Sequence, residues 1–501
     1  MGLAKPYART VPTMIKKALI ALACALAALT SVVVGRTLIV GISPTPPPAA
    51  PAITLESVGA ADRLAQAIRL RTISWGPDAP TEDDAFRSMQ ALLERSFPRV
   101  QSTLSREVVN GDSLLYRWQG SDPALKPILV IAHTDVVPGD MGTTPDWTHG
   151  PFSGDIADGF VWGRGTLDDK SAVLGSLEAV EYLLGQGVTP KRTVYLAFGH
   201  DEELGGEQGA AKIVALLTAR GVKFDFSLDE GLTVLVGMVP GLSPPAALIG
   251  VTEKGYLSLQ LTAQGEGGHV SLPPLETSVG RLAKAVARLE AHQMPASLRP
   301  PASTMLDDLA PSTSFWTRLL LANRWLFGPL LMARLEASPE TNALIRTTTA
   351  PTLFAGGIKE NVLPGDARAT VNFRLLPGDS IDDVIAHVRT VIDDPLVRIE
   401  PIGVRGEAPP LADVQGRGFA LLSRTIAQIF PEAVVAPGLV LAGTDTVNYA
   451  PLVQSSYRFL PVSLTADDLG RVHGVDERIS IANYERLIRF YVEFLRNATS
   501  E

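Results

Sequence analysis

Cysteine is almost absent from this sequence. The single cysteine, Cys24, lies in an apolar segment near the N-terminus, so the remainder of the chain carries no thiol. Disulfides, thiolate metal sites and cysteine nucleophiles are therefore excluded for the folded body. Any metal ion there must be held by histidines and carboxylates. With only seven histidines in the chain, each candidate can be considered individually.

Positive charge is also in short supply. The formal net charge is −9, and no run of Lys and Arg occurs beyond the first residues. Because binding to phosphate backbones requires a basic surface, nucleic acid is excluded as a partner. The 46% apolar and 19% charged residues are typical of a globular chain. A length of 501 residues allows two or three domains, each with its own core.

The N-terminal region has the pattern of a membrane anchor. Residues 18–35 carry no charge, and they follow Lys16 and Lys17. A stretch of this length can cross a bilayer, and the preceding basic residues predict a cytoplasmic N-terminus with an exported body. We therefore expect a basic segment at 1–17, a single-pass anchor at 18–40 and a Pro/Ala-rich spacer at 41–54. A cleaved signal peptide, which would release a secreted body, and a buried core helix are the alternatives.

The rest of the chain divides into three parts by the order of its strand-like and helical segments. From 55 to 249, strand-like and helical segments alternate, which predicts an α/β fold with a mixed, mainly parallel sheet flanked by helices. Residues 250–405 have the order β-α-β-β-α-β and predict a smaller α+β domain, interrupted by a Leu- and Trp-rich insertion near 300–345. In residues 406–501 the alternation of strand-like and helical segments resumes. We expect them to complete the first, larger domain.

A histidine and an aspartate follow one predicted buried strand. In ILVIAHTDVVP, His133 would stand at the carboxyl end of the strand, where open α/β sheets bind ligands. Asp135 could accept a hydrogen bond from the second ring nitrogen and fix the tautomer. Taken alone, the motif is better explained by a buried structural histidine beside a turn aspartate.

Further acidic and histidine clusters follow other predicted strands and turns. They are Asp168 and Asp169, the run Asp201, Glu202 and Glu203, the pair Asp229 and Glu230, and late in the chain His473. Each has a simpler explanation as a helix N-cap or a solvated loop. Together they would converge at one edge of the sheet, and Zn²⁺ accepts this mixture of imidazole and carboxylate ligands.

The order of these motifs resembles a known family. HTDVVP, GRGTLDDK, DEELGG, DEG, GGHVSLPP, NVLPGDARATVNFRLLPGD and HGVDERI occur in that order. The chain from about residue 55 onward resembles the aminoacylase/carboxypeptidase family of dizinc metallopeptidases. Stretches such as NRWLFGPLL and TNALIRTTTAPTLFAGGIKENVLP are similar to its branch of yeast-type carboxypeptidase S and animal N-fatty-acyl-amino-acid synthase/hydrolase.

The resemblance implies a centre of two Zn²⁺ ions per chain. It assigns His133, Asp168 and Glu230 to one zinc, while Asp168 bridges to a second zinc completed by Glu203 and His473. It also implies a cis peptide bond after the bridging aspartate. Glu230 is chosen as ligand by register, and its neighbour Asp229 is the alternative.

Two nearby acids receive other roles from the resemblance. Asp135 would orient His133, and Glu202 would be the general base, with Asp201 as the next candidate for the base. The other histidines, His149, His200, His292 and His387, are expected to be structural or solvated.

The resemblance places the remaining site residues in or beside the smaller domain. His269 would stabilise the tetrahedral intermediate from a partner subunit, which implies a homodimer through this domain. Asn361 would bind the substrate carbonyl and Arg374 its carboxylate. Gly443 and Thr444, followed by Asp445, would form a loop that lines the pocket.

These assignments predict hydrolysis of the amide bond of N-acyl amino acids that carry a free carboxylate, a reaction that can also run toward synthesis. The substrate would be a small molecule. A carboxypeptidase S-like enzyme acting on short peptides is the alternative, and the apolar insertion favours a lipophilic acyl group. An inactive, membrane-tethered binding protein is the alternative from a different class. The intact Glu202 and ligand positions argue against it.

Overall fold

The computed structural model describes residues 11–41, 48–50, 53, 57–76, 83–139 and 147–500. The first ten residues of the predicted basic segment and most of the predicted spacer at 41–54 lie outside these described residues. The remaining elements can be compared with the expectations from sequence.

The helices are numbered in chain order. They are α1 Val11–Val40, α2 Ser57–Ile68, α3 Asp83–Ser96, α4 Pro98–Thr103, α5 Lys170–Gly185, α6 Ala210–Ala219, α7 Ser278–Ala291, α8 Ala302–Leu309, α9 Phe315–Ala322, α10 Arg324–Glu336, α11 Pro339–Ile345, α12 Ile381–Ile392, α13 Arg417–Ile429, α14 Thr446–Tyr449, α15 Ala466–Leu469 and α16 Ile481–Thr499.

The strands are numbered in the same way. They are β1 Ser105–Val109, β2 Ser113–Trp118, β3 Ile128–His133, β4 Ile156–Ala157, β5 Phe160–Trp162, β6 Val194–Gly199, β7 Phe224–Leu235, β8 Ala246–Glu253, β9 Gly255–Gln264, β10 Gly268–His269, β11 Thr348–Gly356, β12 Val362–Leu363, β13 Asp366–Leu375, β14 Val397–Gly406, β15 Val434–Val440, β16 Val453–Leu464 and β17 Arg478–Ser480.

The larger sheet has eight strands in the order β1-β2-β6-β3-β7-β16-β8-β15. Its centre, β6-β3-β7-β16, is parallel, whereas β1, β2 and the β16–β8 contact are antiparallel. Helices α2, α5, α13 and α16 cover one face, and α6 with α14 covers the other. The predicted α/β fold with a mixed, mainly parallel sheet is confirmed.

The carboxyl ends of β3 and β6 lie side by side, since His133 pairs with Gly199 in the parallel register. The neighbouring strand β7 runs parallel to β3, with Leu129 opposite Ser227. Chain segments that follow His133 and Gly199 therefore emerge beside each other at one edge of the sheet. This arrangement fixes where the acidic segments meet.

The second sheet is antiparallel, in the order β11-β13-β9-β14, with α7 and α12 packed on it around a separate apolar core. Along the chain its elements follow the order strand, helix, strand, strand, helix, strand. Helices α8 to α11 interrupt this sheet between α7 and β11. Helix α8 packs on β15 of the larger sheet, which ties the interruption to both layers.

Several strands were not predicted from the sequence. The longest is β16, which runs for 12 residues between β7 and β8 and contains Pro461. Its mixed polar and apolar start gave no clear period. Strand β7 also has 12 residues, because it continues past Glu230 and Gly231 to Leu235.

Helix α13 packs so closely on the sheet that Gly418 leaves no space for a side chain. A Cβ there would lie 2.5 Å from Tyr457 Cε2 and 2.9 Å from Phe226 Cγ, both ring atoms in the core. Replacing a helical glycine by alanine gains up to about 1 kcal/mol. Overpacking costs about 1–3 kcal/mol, so we expect Gly418→Ala to lower the free energy of unfolding.

Gly328 in α10 provides the matched control, because nothing lies within 4 Å of a Cβ at that position. Gly328→Ala should be neutral or stabilising by up to about 1 kcal/mol. Denaturant unfolding of both variants measures the difference. A Gly418→Ala protein as stable as Gly328→Ala would show that the two rings move aside without cost.

Candidate metal centre

His133 ends β3 and is buried, and its two ring nitrogens face different groups. Nε2 lies 2.9 Å from Oδ1 of Asp168 and 3.4 Å from Oε1 of Glu230. Nδ1 lies 3.0 Å from the backbone carbonyl of Asp135 and 3.3 Å from its carboxylate. A proton on Nδ1 would be shared with Asp135, which leaves Nε2 directed at the acidic cluster.

Asp168 stands between the two histidines. One carboxylate oxygen faces His133, and the other lies 3.1 Å from Nε2 of His473. The following peptide bond, Asp168–Asp169, is cis, in agreement with the expectation from the resemblance. His473 adopts a left-handed backbone with φ of +58° and also lies 3.3 Å from Oε2 of Glu203.

A buried carboxylate that sequence reasoning missed holds the Asp168 loop in place. Glu477 accepts hydrogen bonds from the backbone N–H groups of Gly165 at 3.0 Å, Leu167 at 2.8 Å and Asp168 at 3.3 Å. Its second oxygen forms a 2.6 Å ion pair with the buried Arg164. The signal was present in HGVDERI, four residues after His473, but the motif was used only for its histidine.

Asp135 also fixes the segment after β6. Its carboxylate accepts hydrogen bonds from the backbone N–H groups of Glu202 and Glu203, each at 3.2 Å, and from the hydroxyl of Ser74 at 2.7 Å. Glu202 and Glu203 lie in one helical turn, Glu202–Leu204. A single buried carboxylate thus positions His133 and both glutamates.

Glu230 reaches the cluster through an irregularity in β7. The register with β16 shifts between the pairs Asp229–Arg458 and Leu232–Phe459, so Glu230 and the left-handed Gly231 form a bulge. Such bulges redirect side chains beside active sites. The adjacent Asp229 instead accepts a 2.6 Å hydrogen bond from Thr446. The geometry therefore favours Glu230 over Asp229 as the residue that faces His133.

The cluster strongly perturbs its own titration. Burial raises the pKa of Glu202 well above its ordinary value, and burial with the Asp168 charge raises the pKa of Glu230 to about 8. Hydrogen bonds to Asp168 and Glu203 raise the pKa of His473 to about 10. Although burial raises the pKa of Asp168, hydrogen bonds with His133 and His473 bring it below its usual range. The site thus favours bound positive charge.

These donors fit a pair of divalent cations. Candidate ligand atoms of His133, Asp168 and Glu203 lie within 4.8 Å of one another, as do those of His133, Glu202 and Glu230. Glu203 Oε1 is buried and has no hydrogen-bond partner, which leaves a lone pair for a ligand. The imidazole and carboxylate set suits zinc and related ions.

A cavity of about 950 Å³ opens over the cluster, lined by both sheets. From the second sheet, Arg374 lines it, with its guanidinium 4.7 Å from the ring centre of Tyr256. The predicted loop residues Gly443 and Thr444 line the opposite side, together with Asp445. Apolar side chains form much of the wall, including Leu204, Leu232, Val404, Val440 and Leu441.

Two predicted site residues lie outside this cavity. His269 and Asn361 are exposed, and the short strands β10 and β12 place them together, since His269 pairs with Val362. The resemblance assigns Asn361 and Arg374 to the carbonyl and the carboxylate of one substrate. Within one chain the two residues are far apart, because β13 lies between them and its eight steps from Asp366 to Arg374 extend about 26 Å.

The other histidines have ordinary structural contacts. His200 is buried and shares a 2.7 Å hydrogen bond with Ser113, while His149 pairs with Asp155 at 2.9 Å. Nε2 of His387 lies 2.8 Å from the carbonyl of His292. These contacts agree with the structural or solvated roles expected for them.

The comparisons of this chain with known proteins agree with one another. Residues 129–497 match the model of Peptidase family M20/M25/M40. The chain is 44% identical over 448 residues to probable carboxypeptidase S-like 2 of Dictyostelium discoideum, covering 89% of this chain and 86% of that protein. It is 42% identical over 443 residues to N-fatty-acyl-amino acid synthase/hydrolase PM20D1 of Xenopus tropicalis, covering 88% and 86%.

Solved structures share the fold. The M20 family metallo-carboxypeptidase Sso-CP2 of Sulfolobus solfataricus superposes with a TM-score of 0.64 at 19% identity. The match covers 88% of this chain and 99% of that one. At this identity the likeness concerns the fold alone.

Asp201 has a structural role in this geometry. Its carboxylate accepts 2.7 Å hydrogen bonds from the backbone N–H groups of Gln208 and Gly209, away from the cluster. Asp201→Ala leaves these groups without an acceptor. We expect it to lower the free energy of unfolding by about 1–3 kcal/mol while turnover of the folded enzyme stays near that of the parent.

The exposed Glu207, in the same loop, is the matched control, and Glu207→Ala should change neither quantity. Denaturant unfolding and an amide-hydrolysis assay on folded protein provide the two measurements. Abolished turnover in an Asp201→Ala protein of parental stability would make Asp201 part of the chemistry instead.

Proposed function

This chain belongs to Peptidase family M20/M25/M40, and we propose that within it the enzyme hydrolyses N-acyl amino acids at the amide bond next to a free carboxylate. Hydrolysis of an amide bond is the activity that the family and its named relatives share. The observation that carries the narrower proposal is one cavity containing the acidic and histidine cluster, Arg374 and a largely apolar wall.

We propose zinc as the metal, two ions per chain. His133, Asp168 and Glu230 would hold one ion, and Asp168, Glu203 and His473 the other. The contacts of Asp168 with both histidines support its bridging role. When bound, such a pair lowers the pKa of water and polarises the substrate carbonyl.

Glu202 is proposed as the general base. It would take a proton on its carboxylate and deliver it to the leaving amine nitrogen. Its raised pKa, caused mainly by burial, suits a group that must accept a proton. Glu202 also lies close enough to His133 and Glu230 to be a ligand, so the division of roles between Glu202 and Glu203 requires a test.

Arg374 is proposed to bind the substrate carboxylate. A guanidinium can donate two parallel hydrogen bonds to a carboxylate, and the position of Arg374 in the cavity lining supports this role. Lys254 lines the same cavity and donates a 2.7 Å hydrogen bond to the carbonyl of Arg346. Burial and the nearby Arg374 charge lower the pKa of Lys254 to about 7, so Arg374 is the more dependable cation there.

The acyl group is proposed to be lipophilic, because apolar side chains form much of the cavity wall and the cavity has room for a chain. A short-peptide carboxypeptidase is the second candidate, favoured by the name of the Dictyostelium relative. A hydrolysis screen across acyl lengths and dipeptides, read by mass spectrometry, tests the choice. Faster turnover of dipeptides than of any long-chain N-acyl amino acid would favour the carboxypeptidase.

His269 and Asn361 are proposed to act in a homodimer formed through the smaller sheet domain, on the cavity of a second copy. Their exposure, and their position outside the cavity of their own chain, support this assignment.

For location, we propose a single-pass membrane protein with an extracytoplasmic body. Helix α1 is the one described helix long and apolar enough to cross a membrane, over Met14–Val40.

The bridging role of Asp168 predicts the metal content of a variant. Asp168→Ala should lose both ions, because each ion loses a ligand and the two cations no longer share a carboxylate that offsets their repulsion. Inductively coupled plasma mass spectrometry of the purified chain measures this. Glu207→Ala, an exposed acidic residue four positions beyond Glu203, should retain both ions. A full metal load in Asp168→Ala would refute the bridge.

The base assignment predicts a different pattern for Glu202→Gln. This variant should retain its metal while turnover falls by about 10²–10⁴-fold or more. Glu203→Gln, the matched neighbour, should lose metal as well as turnover. Metal loss from Glu202→Gln together with retention in Glu203→Gln would exchange the two roles.

Arg374 predicts discrimination between acid and amide. Charge-assisted hydrogen bonds contribute about 1.5–3 kcal/mol each, so Arg374→Ala should greatly lower kcat/KM for an N-acyl amino acid. The corresponding amide, which has no carboxylate, should lose little. Arg374→Lys should recover part of the loss, since lysine keeps the charge but not the two-point geometry. Equal losses for acid and amide would mean that Arg374 supports the fold instead.

A further inference from the structure

Helix α1 has two parts with different surroundings. From Met14 to Val32 every residue is exposed, whereas Val33 and Thr37 are buried against the body of the protein. The uncharged residues 18–35 rise about 27 Å along the helix, close to the roughly 30 Å hydrocarbon thickness of a bilayer. In a membrane, the packed turns around Thr37 would therefore lie at one edge of the hydrocarbon layer.

The partner of these last turns is α9, in the insertion. The buried side-chain amide of Asn323, directly after α9, donates 3.2 Å hydrogen bonds to the carbonyl of Val33 and to the hydroxyl of Thr37. Arg36 donates a 3.2 Å hydrogen bond to the carbonyl of Ala322. Polar contacts of this kind, which give the buried amide N–H groups of Asn323 their acceptors, favour one relative position of the two helices.

The insertion exposes aromatic and aliphatic groups beside this contact. Trp316 is 74% exposed and Trp325 is 58% exposed. Phe315, Leu326 and Leu330 are also exposed large apolar residues on α9 and α10. Large apolar side chains exposed on two neighbouring helices of a soluble body indicate an interaction site.

Between residues 309 and 335 the insertion carries basic side chains only, although acidic residues flank this segment and Asp307 pairs with Arg324. The basic residues are Arg318, Arg324 and Arg334. Tryptophan and arginine together are the residues favoured at the bilayer–water interface, and arginine attracts anionic lipid headgroups. A protein partner of this surface would instead be expected to meet a mixed polar rim.

We propose that α9 and α10 form a membrane-docking surface, defined by Phe315, Trp316, Trp325, Leu326 and Leu330, that enters the interface of the bilayer crossed by α1. Three features support this proposal: the continuity of the surface with α1, its two tryptophans, and the basic side chains of the segment 309–335. It also rests on the proposed membrane anchoring of α1. The occupant is the lipid bilayer itself.

This docking would hold the catalytic body in one orientation on the membrane. Leu306 packs both in the cluster around Leu321 and Leu331 and in the cluster around Leu309, which also contains Leu232 of the cavity wall. Continuous apolar packing thus joins the docking surface to the catalytic sheet. An acyl substrate dissolved in the bilayer would be presented to an enzyme already fixed beside it.

The six tryptophans supply the test. None of them lies in α1, so fluorescence quenching by lipids brominated near the headgroup end of the acyl chain reports only on the body. The full chain is reconstituted in vesicles of phosphatidylcholine with phosphatidylglycerol. We expect strong quenching, and we expect the double variant Trp316→Phe/Trp325→Phe to lose most of it.

Trp75→Phe is the matched control, because Trp75 is 50% exposed and lies outside the insertion. It should leave the quenching almost unchanged. Quenching that survives in the double variant would overturn the proposal. So would rapid disulfide cross-linking between copies of a Cys24→Ser/Trp316→Cys chain, since the surface would then be covered by a second copy.

Vesicle flotation and amide hydrolysis distinguish this proposal from the two on which it depends, the membrane anchor and the enzymatic function. A chain that floats with alkaline-washed vesicles without quenching at Trp316 and Trp325 is anchored but not docked. A chain that fails to float contradicts both the anchor and the docking. Amide hydrolysis by the same vesicles tests the proposed enzymatic function independently of either result.

Discussion

The structure depends on the concentration of negative charge at one edge of the larger sheet. Asp168, Glu203 and Glu230 converge on two imidazoles in a buried space where water can screen little of their repulsion. Bound positive charge would relieve this repulsion. The raised pKa of His473 shows the same preference, because the protonated imidazole is itself a positive charge. Two divalent cations would neutralise more of this negative charge than protons do. The donor set is therefore explained as a whole rather than residue by residue.

Two further carboxylates maintain that concentration. Asp135 and Glu477 accept hydrogen bonds from the backbone of the segments that carry the cluster, and Glu477 is paired with the buried Arg164. A buried ion pair is poor evidence of stability by itself, because its desolvation offsets much of the attraction. Here the pair connects the Asp168 loop to the segment that carries His473, so its role is to hold these two segments in place.

Part of the centre could be predicted from sequence, because two of its segments follow strands whose ends are fixed by parallel pairing. His133 and the pair Glu202 and Glu203 are of this kind. Glu230 reaches the centre through a bulge in a strand that continues, and such irregularities leave no periodic signal. The separation of Asn361 and Arg374 within one chain could not be predicted, because spacing along the chain does not show the length of an intervening strand. The roles assigned to individual site residues remain predictions.

The central claim is that the cluster is built around two cations joined by Asp168. Anomalous diffraction from crystals of the full chain grown with zinc, recorded on both sides of the zinc absorption edge, tests it most directly. The account predicts two peaks per chain, one on each side of the Asp168 carboxylate, about 3.5–4 Å apart. A single peak, or a second peak that does not contact Asp168, would contradict it.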